Sequence, residues 1–379
     1  MAFSFGFSGD DIDPDIDTGD SSQPLNEGGT HGGEAGTDSP IEGEKVKAHG
    51  LDEMLSSLPS QLSFNTISPT SCLRLPRREV FDIRAQLMAE DGIGSNENTE
   101  LISGLEKGDI QTRIYEGGFK TWECAIDLAK LLMSYGDGDL FPVSGIGEGE
   151  GVDIHIIELG AGTAMPSLAL LNRFLLQPAP SEPPERKVHF TLADYNSPVL
   201  RLVTLPNIIL LWSLISGAAN LAEGDATDEG NDLEITPEVI EGFKQALSQR
   251  GISLDFISGS WGPEFVDTVF QSELRGVSDS GRPRRTLILA SETIYSPSSL
   301  RVFSETLVSL LRRASGAEAA SSARAFVAAK RVYFGVGGGV DEFLSTLREV
   351  EGDAVKVNGK SDVEDGGVGR VILELGLNG

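Results

Sequence analysis

The chain has 379 residues, of which 39% are hydrophobic, and carries a formal net charge of −28. That length and apolar content can bury a large core. The acidic excess argues against direct binding to nucleic-acid phosphates, which depends on Lys and Arg displacing counterions; it suits either a basic protein partner or simple solubility.

In chain order, Met1 to Asp11 lacks a basic stretch followed by an apolar one and does not read as a secretory signal. Residues 8–44 are rich in Gly, Asp, Ser, Thr and Pro, so residues 1–50 are expected to form an acidic, largely disordered tail. Phe3, Phe5 and Phe7 alternate within it, as a docking motif or a loose end. Residues 51–110 read as a partly helical lead-in, with a short amphipathic helix from Leu51 to Leu62. From residue 111 to 379 helices and strands alternate. Strands are predicted at Asp153–Leu159, His189–Ala193, Leu254–Ser258, Thr286–Ser291, Ala325–Arg331, Ala354–Val357 and Arg370–Leu375. Helices are predicted at Trp122–Tyr135, Ala164–Leu176, Pro198–Ile215, Pro237–Gln249, Pro297–Ala314 and Val340–Val350. Two inserts, Gln177–Pro184 and Glu223–Glu234, read as surface loops.

The strand runs are apolar on both faces, as buried parallel strands are. The expected fold is therefore α/β: a Rossmann-like seven-stranded methyltransferase sheet with helices on both faces and its last strand antiparallel, the final two strands joined through Gly359–Gly367. The apolar run Val203–Ile215 is interrupted by Pro206 and Asn207 and is too short to span a bilayer. Cys72 and Cys124 give no disulfide framework, and they form no zinc-ligand spacing with the four histidines, so no metal is expected. A soluble, intracellular monomer without membrane contact follows. Its localisation reads as cytoplasm and nucleus, since Arg282-Pro283-Arg284-Arg285 is too short to serve as an import signal.

The strongest local motif is Ile157-Glu158-Leu159-Gly160-Ala161-Gly162-Thr163-Ala164, which closes a strand and opens a helix. Its glycines permit a sharp turn and a close ligand approach. Met165 stands where a dinucleotide fingerprint needs its third glycine, which counts against NAD or FAD, and no Walker lysine follows. Glu158 suits the positive sulfonium and amino groups of S-adenosylmethionine. Asp194, at the end of the second strand of the alternating region, is placed either to accept from ribose hydroxyls or to cap the next helix. Trp261 follows Gly259 and Ser260 at the third strand end, where it either covers an adenine or packs in the core.

Several stretches together resemble the protein-histidine N-methyltransferases that modify a large-subunit ribosomal protein. They are Tyr115-Glu116-Gly117-Gly118-Phe119-Lys120-Thr121-Trp122-Glu123-Cys124, Glu158 to Gly162, Asp194 to Ser197, Thr204-Leu205-Pro206-Asn207, Ser291-Glu292-Thr293-Ile294-Tyr295 and Tyr333-Phe334-Gly335-Val336-Gly337-Gly338-Gly339-Val340. The resemblance runs from about residue 110 to the C-terminus, and the Phe-rich start shares it. It implies S-adenosylmethionine as cofactor, held by Thr121, Trp122, Glu123, Cys124, Ala125, Gly160, Gly162, Asp194, Tyr195, Asn196, Gly259, Ser260, Trp261 and Ser291. It also implies transfer to the tele nitrogen of a histidine in a basic, large-subunit ribosomal protein.

A neutral imidazole is already nucleophilic, so alignment supplies most of what is needed. A group accepting the other ring N–H would fix the tautomer. Glu292 is the candidate acceptor, with Tyr295 or Asn196 as alternatives, and an ordinary loop hydrogen bond is the competing role for Glu292. The run Gly335–Gly339, four glycines in five residues, reads as a lid or substrate contact rather than a packed turn. Two other functions stay open: methylation of a lysine by the same fold, or a non-catalytic cofactor-binding escort for a basic ribosomal protein.

Overall fold

The computed structural model describes residues 44–90, 118–142, 151–178, 186–219, 231–276, 282–316, 320–334, 337–363 and 368–378. The main sheet comprises β1 (Lys47–His49), β4 (Asp153–Leu159), β5 (Val188–Asp194), β7 (Ile252–Ser258), β8 (Arg284–Ser291), β9 (Ser322–Lys330), β10 (Val355–Val363) and β11 (Arg370–Leu377). Its eight strands run in the order β1-β7-β5-β4-β8-β9-β11-β10. Strands β7, β5, β4, β8 and β9 are parallel, so their carboxyl ends share one edge, and β11 is antiparallel to both neighbours. All seven predicted strands are present. The eighth, β1, lies within the stretch expected as tail, and pairs antiparallel with β7. Strand β10 is longer than predicted and contains Gly359, which the sequence reading placed in a connection.

A second sheet joins β2 (Gln61–Thr70), β3 (Leu73–Arg78) and β6 (Asn231–Glu234). The lead-in is thus helical at α1 (Leu51–Ser56) and α2 (Val80–Glu90), with a hairpin between them. Strand β6 also corrects the reading of Glu223–Glu234 as loop throughout. Its pairing partner lies about 170 residues upstream, a separation at which no local pattern announces a strand. Most of Gln177–Pro184 and all of Tyr115–Gly117 lie outside the described residues.

Helices cover both faces of the main sheet, which is why its strands read as unbroken apolar runs. On one face Ile154 and Ile156 of β4 pack with side chains of α3 (Glu123–Ser134), α5 (Met165–Leu175), α6 (Ser197–Ser216) and α7 (Pro237–Gln249). On the other, Ile157 and Leu159 pack with α8 (Pro263–Gly276), α9 (Pro297–Gly316) and α10 (Val340–Glu351). A short α4 (Asp137–Leu140) follows α3. Helix α8 was missed in the sequence. Helix α6 is 20 residues long and apolar enough to cross a membrane by length and composition, contrary to the sequence reading, but 78% of its apolar window is buried inside the fold, as in a core helix.

A proline shapes α6. Pro206 has no N–H to give the carbonyl four residues back, that of Leu202, and its ring crowds that carbonyl. The helix widens into a π turn at Leu200–Thr204 just before it. The freed Leu202 carbonyl accepts from Arg78 Nη1 at 2.9 Å. Arg78 is 1% exposed; Asp82, at 2.7 Å from Nε, matches its charge, and Gln86 Oε1 accepts from Nη2. Its backbone N–H donates to Asn207 Oδ1 at 2.8 Å. The hairpin is thereby locked to the helix that carries Thr204 and Asn207. Arg284 and Arg285, from the basic cluster judged too short for an import signal, begin β8. Arg285 is 4% exposed and donates to the Pro142 carbonyl at 2.5 Å.

Replacing Arg78 with Ala strands the Leu202 carbonyl and the Asp82 carboxylate together. We expect a loss of about 3–5 kcal/mol in denaturant unfolding; a loss below about 1 kcal/mol would show that the π turn does not depend on it.

Candidate functional site

The loop between β4 and α5 turns at Gly160 (φ 66°), Gly162 (φ 50°) and Ala164 (φ 58°). Left-handed residues in series cannot form a regular hydrogen-bond ladder, so the loop's backbone groups must find other partners. The Gly162 N–H donates to Asp194 Oδ2 at 3.0 Å, and the Ala161 N–H donates to the Ala193 carbonyl. The Gly162 carbonyl accepts from Thr204 Oγ1 at 2.7 Å and the Thr163 carbonyl from Asn207 Nδ2 at 3.0 Å. Gly162 also lies against the backbone of Gly118, and a Cβ on Gly160 would come within 2.8 Å of Thr293 Cγ2.

Ala164, as the cap of α5, has no side-chain acceptor for the helix's first N–H groups. Glu158 supplies one from the strand beneath: its Oε2 accepts the Ser167 N–H at 3.1 Å, while Oε1 has no hydrogen-bond partner. Glu158 is fully buried, and burial raises its pKa from 4.5 to about 8. It therefore acts from below the loop, on the helix that the loop opens.

At the neighbouring strand ends, Asp194 Oδ1 accepts the Asn196 N–H at 3.1 Å, so one carboxylate ties the loop to the start of α6. Asn196 Nδ2 and Ser260 Oγ are buried without hydrogen-bond partners. The segment leading into β1 crosses here. The Glu44 carbonyl accepts the Ser260 N–H at 3.0 Å, and the Glu44 N–H reaches Tyr195 Oη at 3.4 Å. Gly259 (φ 117°) leaves room for it, since a Cβ there would fall 2.7 Å from the Lys45 carbonyl oxygen. His49 Nε2 and Ser258 Oγ, 2.8 Å apart, secure the crossing. Trp261 packs edge-on against Phe265, with ring centroids 5.0 Å apart, and near Phe303, among the core aromatics.

The third element is the end of β8. Glu292 adopts φ 55°, a left-handed conformation that costs a non-glycine residue about 1 kcal/mol or more. Its Oε2 accepts a short hydrogen bond from Tyr333 Oη. The thiol and backbone N–H of Cys124, in the first turn of α3, also face the carboxylate. Burial raises the Glu292 pKa, and the Cys124 and Tyr333 hydrogen bonds and the Lys330 charge oppose that rise. Burial and the Glu292 charge push the Tyr333 phenol well above its ordinary value. Tyr295 stacks edge-on toward Tyr333, with centroids 6.3 Å apart. Ser291 ends β8, beside Ala328 of β9.

Thr121, Trp122, Glu123, Cys124 and Ala125 form the amino end of α3. Thr121 Oγ1 donates to Thr163 Oγ1 at 3.2 Å, and Lys330 Nζ lies 5.9 Å from the centre of the Trp122 ring. Glu123 lies 3.7 Å from both Lys330 and Arg370. The structure thus gathers the expected residues on one sheet edge. Sequence reasoning gave no role to Arg78, Thr163, Thr204, Asn207, Thr293 or Tyr333, although all but Arg78 stand inside motifs already singled out.

The glycine run after β9 is a packed turn over its described part, Gly337–Gly339, which corrects its reading as a lid. A Cβ on Gly338 would sit 2.2 Å from the Tyr295 carbonyl oxygen. The turn is closed by hydrogen bonds from the Gly337 N–H to the Tyr333 carbonyl and from the Tyr333 N–H to the Gly338 carbonyl. The entropy those glycines cost is offset by this close approach.

These residues fit S-adenosylmethionine. Asn196 Nδ2, Ser260 Oγ and Thr293 Oγ1 are buried polar atoms without hydrogen-bond partners at the strand ends. Buried polar atoms of that kind ordinarily have partners.

No family model matches the chain. It is 31% identical to Histidine protein methyltransferase 1 of Saccharomyces cerevisiae, over 100% of this chain and 99% of that protein. It is 30% identical to the protein of that name in Schizosaccharomyces pombe, over 85% and 83% of the two chains. A homolog in Mus musculus is 30% identical over 74% of this chain and 62% of its own. Among solved structures, the magnesium protoporphyrin IX methyltransferase of Synechocystis PCC 6803 covers 78% of this chain and 99% of its own at 9% identity, with a TM-score of only 0.31.

Gly160→Arg places a side chain against Thr293 at a left-handed position, and we expect calorimetry to show loss of S-adenosylmethionine binding; normal affinity would remove the loop from the site. Glu158 favours the proton in the folded state, so its stabilising contribution is full below pH 4.5 and is lost as pH rises to about 8. Glu158→Gln is expected to remove that fall, on the order of 5 kcal/mol across the interval. Parallel stability–pH curves for the two proteins would contradict it.

Proposed function

The chain belongs to the histidine protein methyltransferase family, and on that premise we propose that it transfers the methyl group of S-adenosylmethionine to the tele nitrogen of a histidine in a large-subunit ribosomal protein. The observation that carries the reading is Glu292: an enclosed carboxylate in a strained conformation, one residue from the Thr293 methyl that abuts the glycine loop. Strain of this kind persists where the surrounding structure enforces it, and it gathers at functional sites.

S-adenosylmethionine supplies a methyl carbon bonded to sulfur that departs as a neutral thioether. Gly160 and Gly162 would give it backbone to lie against, Asp194 and Asn196 would take its ribose, and Gly259 and Ser260 its base. Glu292 accepts the pros N–H of the target imidazole, which leaves the lone pair on the tele nitrogen aimed away from the carboxylate. The N–C bond forms as the C–S bond breaks, and the imidazole becomes an imidazolium whose charge the same carboxylate balances. The pros proton then passes to Glu292 or to water.

A basic substrate suits a chain of charge −28. A lysine target is served less well, because a carboxylate at the reacting nitrogen favours the protonated ammonium, which has no lone pair to attack with.

The test uses labelled S-adenosylmethionine and the large-subunit ribosomal protein with its histidines replaced one at a time. Loss of label on removing one histidine is expected; label that survives every replacement would indicate lysine, and binding without label would indicate an escort. Glu292→Gln is expected to lower kcat by about 100-fold at unchanged cofactor affinity; full turnover in that variant would refute the role of Glu292.

A further inference from the structure

We infer that Tyr333 is a positioning residue, whose hydroxyl fixes the Glu292 carboxylate in the orientation that receives the target imidazole. The inference rests on the reading of Glu292 given above. Its basis is the direction of two hydrogen bonds. The Lys330 backbone N–H donates to Tyr333 Oη at 3.2 Å, which occupies an acceptor position of the phenol. The phenol's own hydrogen is therefore available to Glu292 Oε2, where the short contact lies.

The ring has little freedom to turn away. Its residue sits in the turn closed between Tyr333 and Gly337–Gly338, and that turn is pressed onto the Ile294 and Tyr295 carbonyls, which only a glycine at 338 allows. Tyr295 meets the same ring edge-on. The turn after β9 and the loop after β8 thus hold each other, and Tyr333–Glu292 is the polar contact between them. On either side of Tyr333, Val332 is 50% and Phe334 76% exposed, so of these three side chains Tyr333 is the one that turns inward.

The ionisable groups facing Glu292 are Cys124 from α3, Lys330 from β9 and Tyr333 from the turn. Lys330 is shared with Glu123, and Cys124 lies near Asp127 and Arg370. Donation from Tyr333 favours the ionised carboxylate, which is the form that accepts an imidazole N–H. Loss of the donor makes Glu292 harder to ionise, so the acid limb of the kcat–pH profile moves to higher pH.

The experiment compares the full chain with Tyr333→Phe, with 3-fluorotyrosine placed at 333, and with Glu292→Gln. Readouts are cofactor affinity by calorimetry and kcat and KM for the protein substrate across pH. For Tyr333→Phe, kcat is expected to fall about tenfold with the acid limb shifted upward and cofactor affinity unchanged. The fluorinated phenol keeps its shape and is a stronger donor, so the limb should move the other way. If Tyr333→Phe fails to fold, the fluorotyrosine protein decides alone. An unmoved acid limb in the Tyr333 proteins, with Glu292→Gln inactive, overturns the positioning role and leaves the Glu292 reading intact. Full activity of Glu292→Gln overturns both.

Discussion

The ligand-binding edge depends on keeping the irregular loop from Gly160 to Ala164 open inside a buried setting. Left-handed turns at three of its five residues leave the backbone without a ladder, and unpaired buried amides cost about 1–3 kcal/mol each. The chain meets this with side chains drawn from distant places: Asp194 from β5 on the Gly162 N–H, Thr204 and Asn207 from α6 on two carbonyls. Asn207 is in turn held by the Arg78 backbone, and Arg78 fills the gap that Pro206 opens in α6. A proline, a π turn, a buried arginine and a hairpin are thus links in one chain of hydrogen bonds ending at the loop.

Two glutamates with enclosed carboxylate oxygens flank that loop and are treated differently. Glu158 is met by Ser167 and has the like charge of Asp194 nearby, so burial dominates and it holds its proton to about pH 8. Glu292 is enclosed as well, but a phenol, a helix-end N–H and a lysine charge all stand against the effect of burial. The first is suited to structural capping and the second to binding a polar ligand group. Both pKa values move upward, yet only the surroundings distinguish the roles.

The amino-terminal extension is part of the same edge. Glu44 to His49 adds a strand beside β7 and crosses over Gly259, bonding Ser258, Ser260 and Tyr195. A segment that by composition belongs to an acidic tail thereby becomes a wall of the site.

The sequence alone determined the alternation of strands and helices, the seven strands of the catalytic sheet and the glycine turn, because each is written in local periodicity and turn chemistry. It also singled out Glu158, Asp194, Asn196 and Glu292, which stand at strand ends where ligands meet this kind of sheet. Tertiary structure decided the rest. Strands β1 and β6 exist only because a distant edge receives them, and pairing between remote segments leaves little trace in local composition. The glycines after β9 read as an entropic cost until their contact with Tyr295 is seen. Arg78 carries no local signal, and the motifs that hold Asn207 and Tyr333 do not name their partners, since a hydrogen bond to a residue dozens or more positions away is set by how the elements pack. The sequence dictates which elements form; only their packing dictates which polar groups meet.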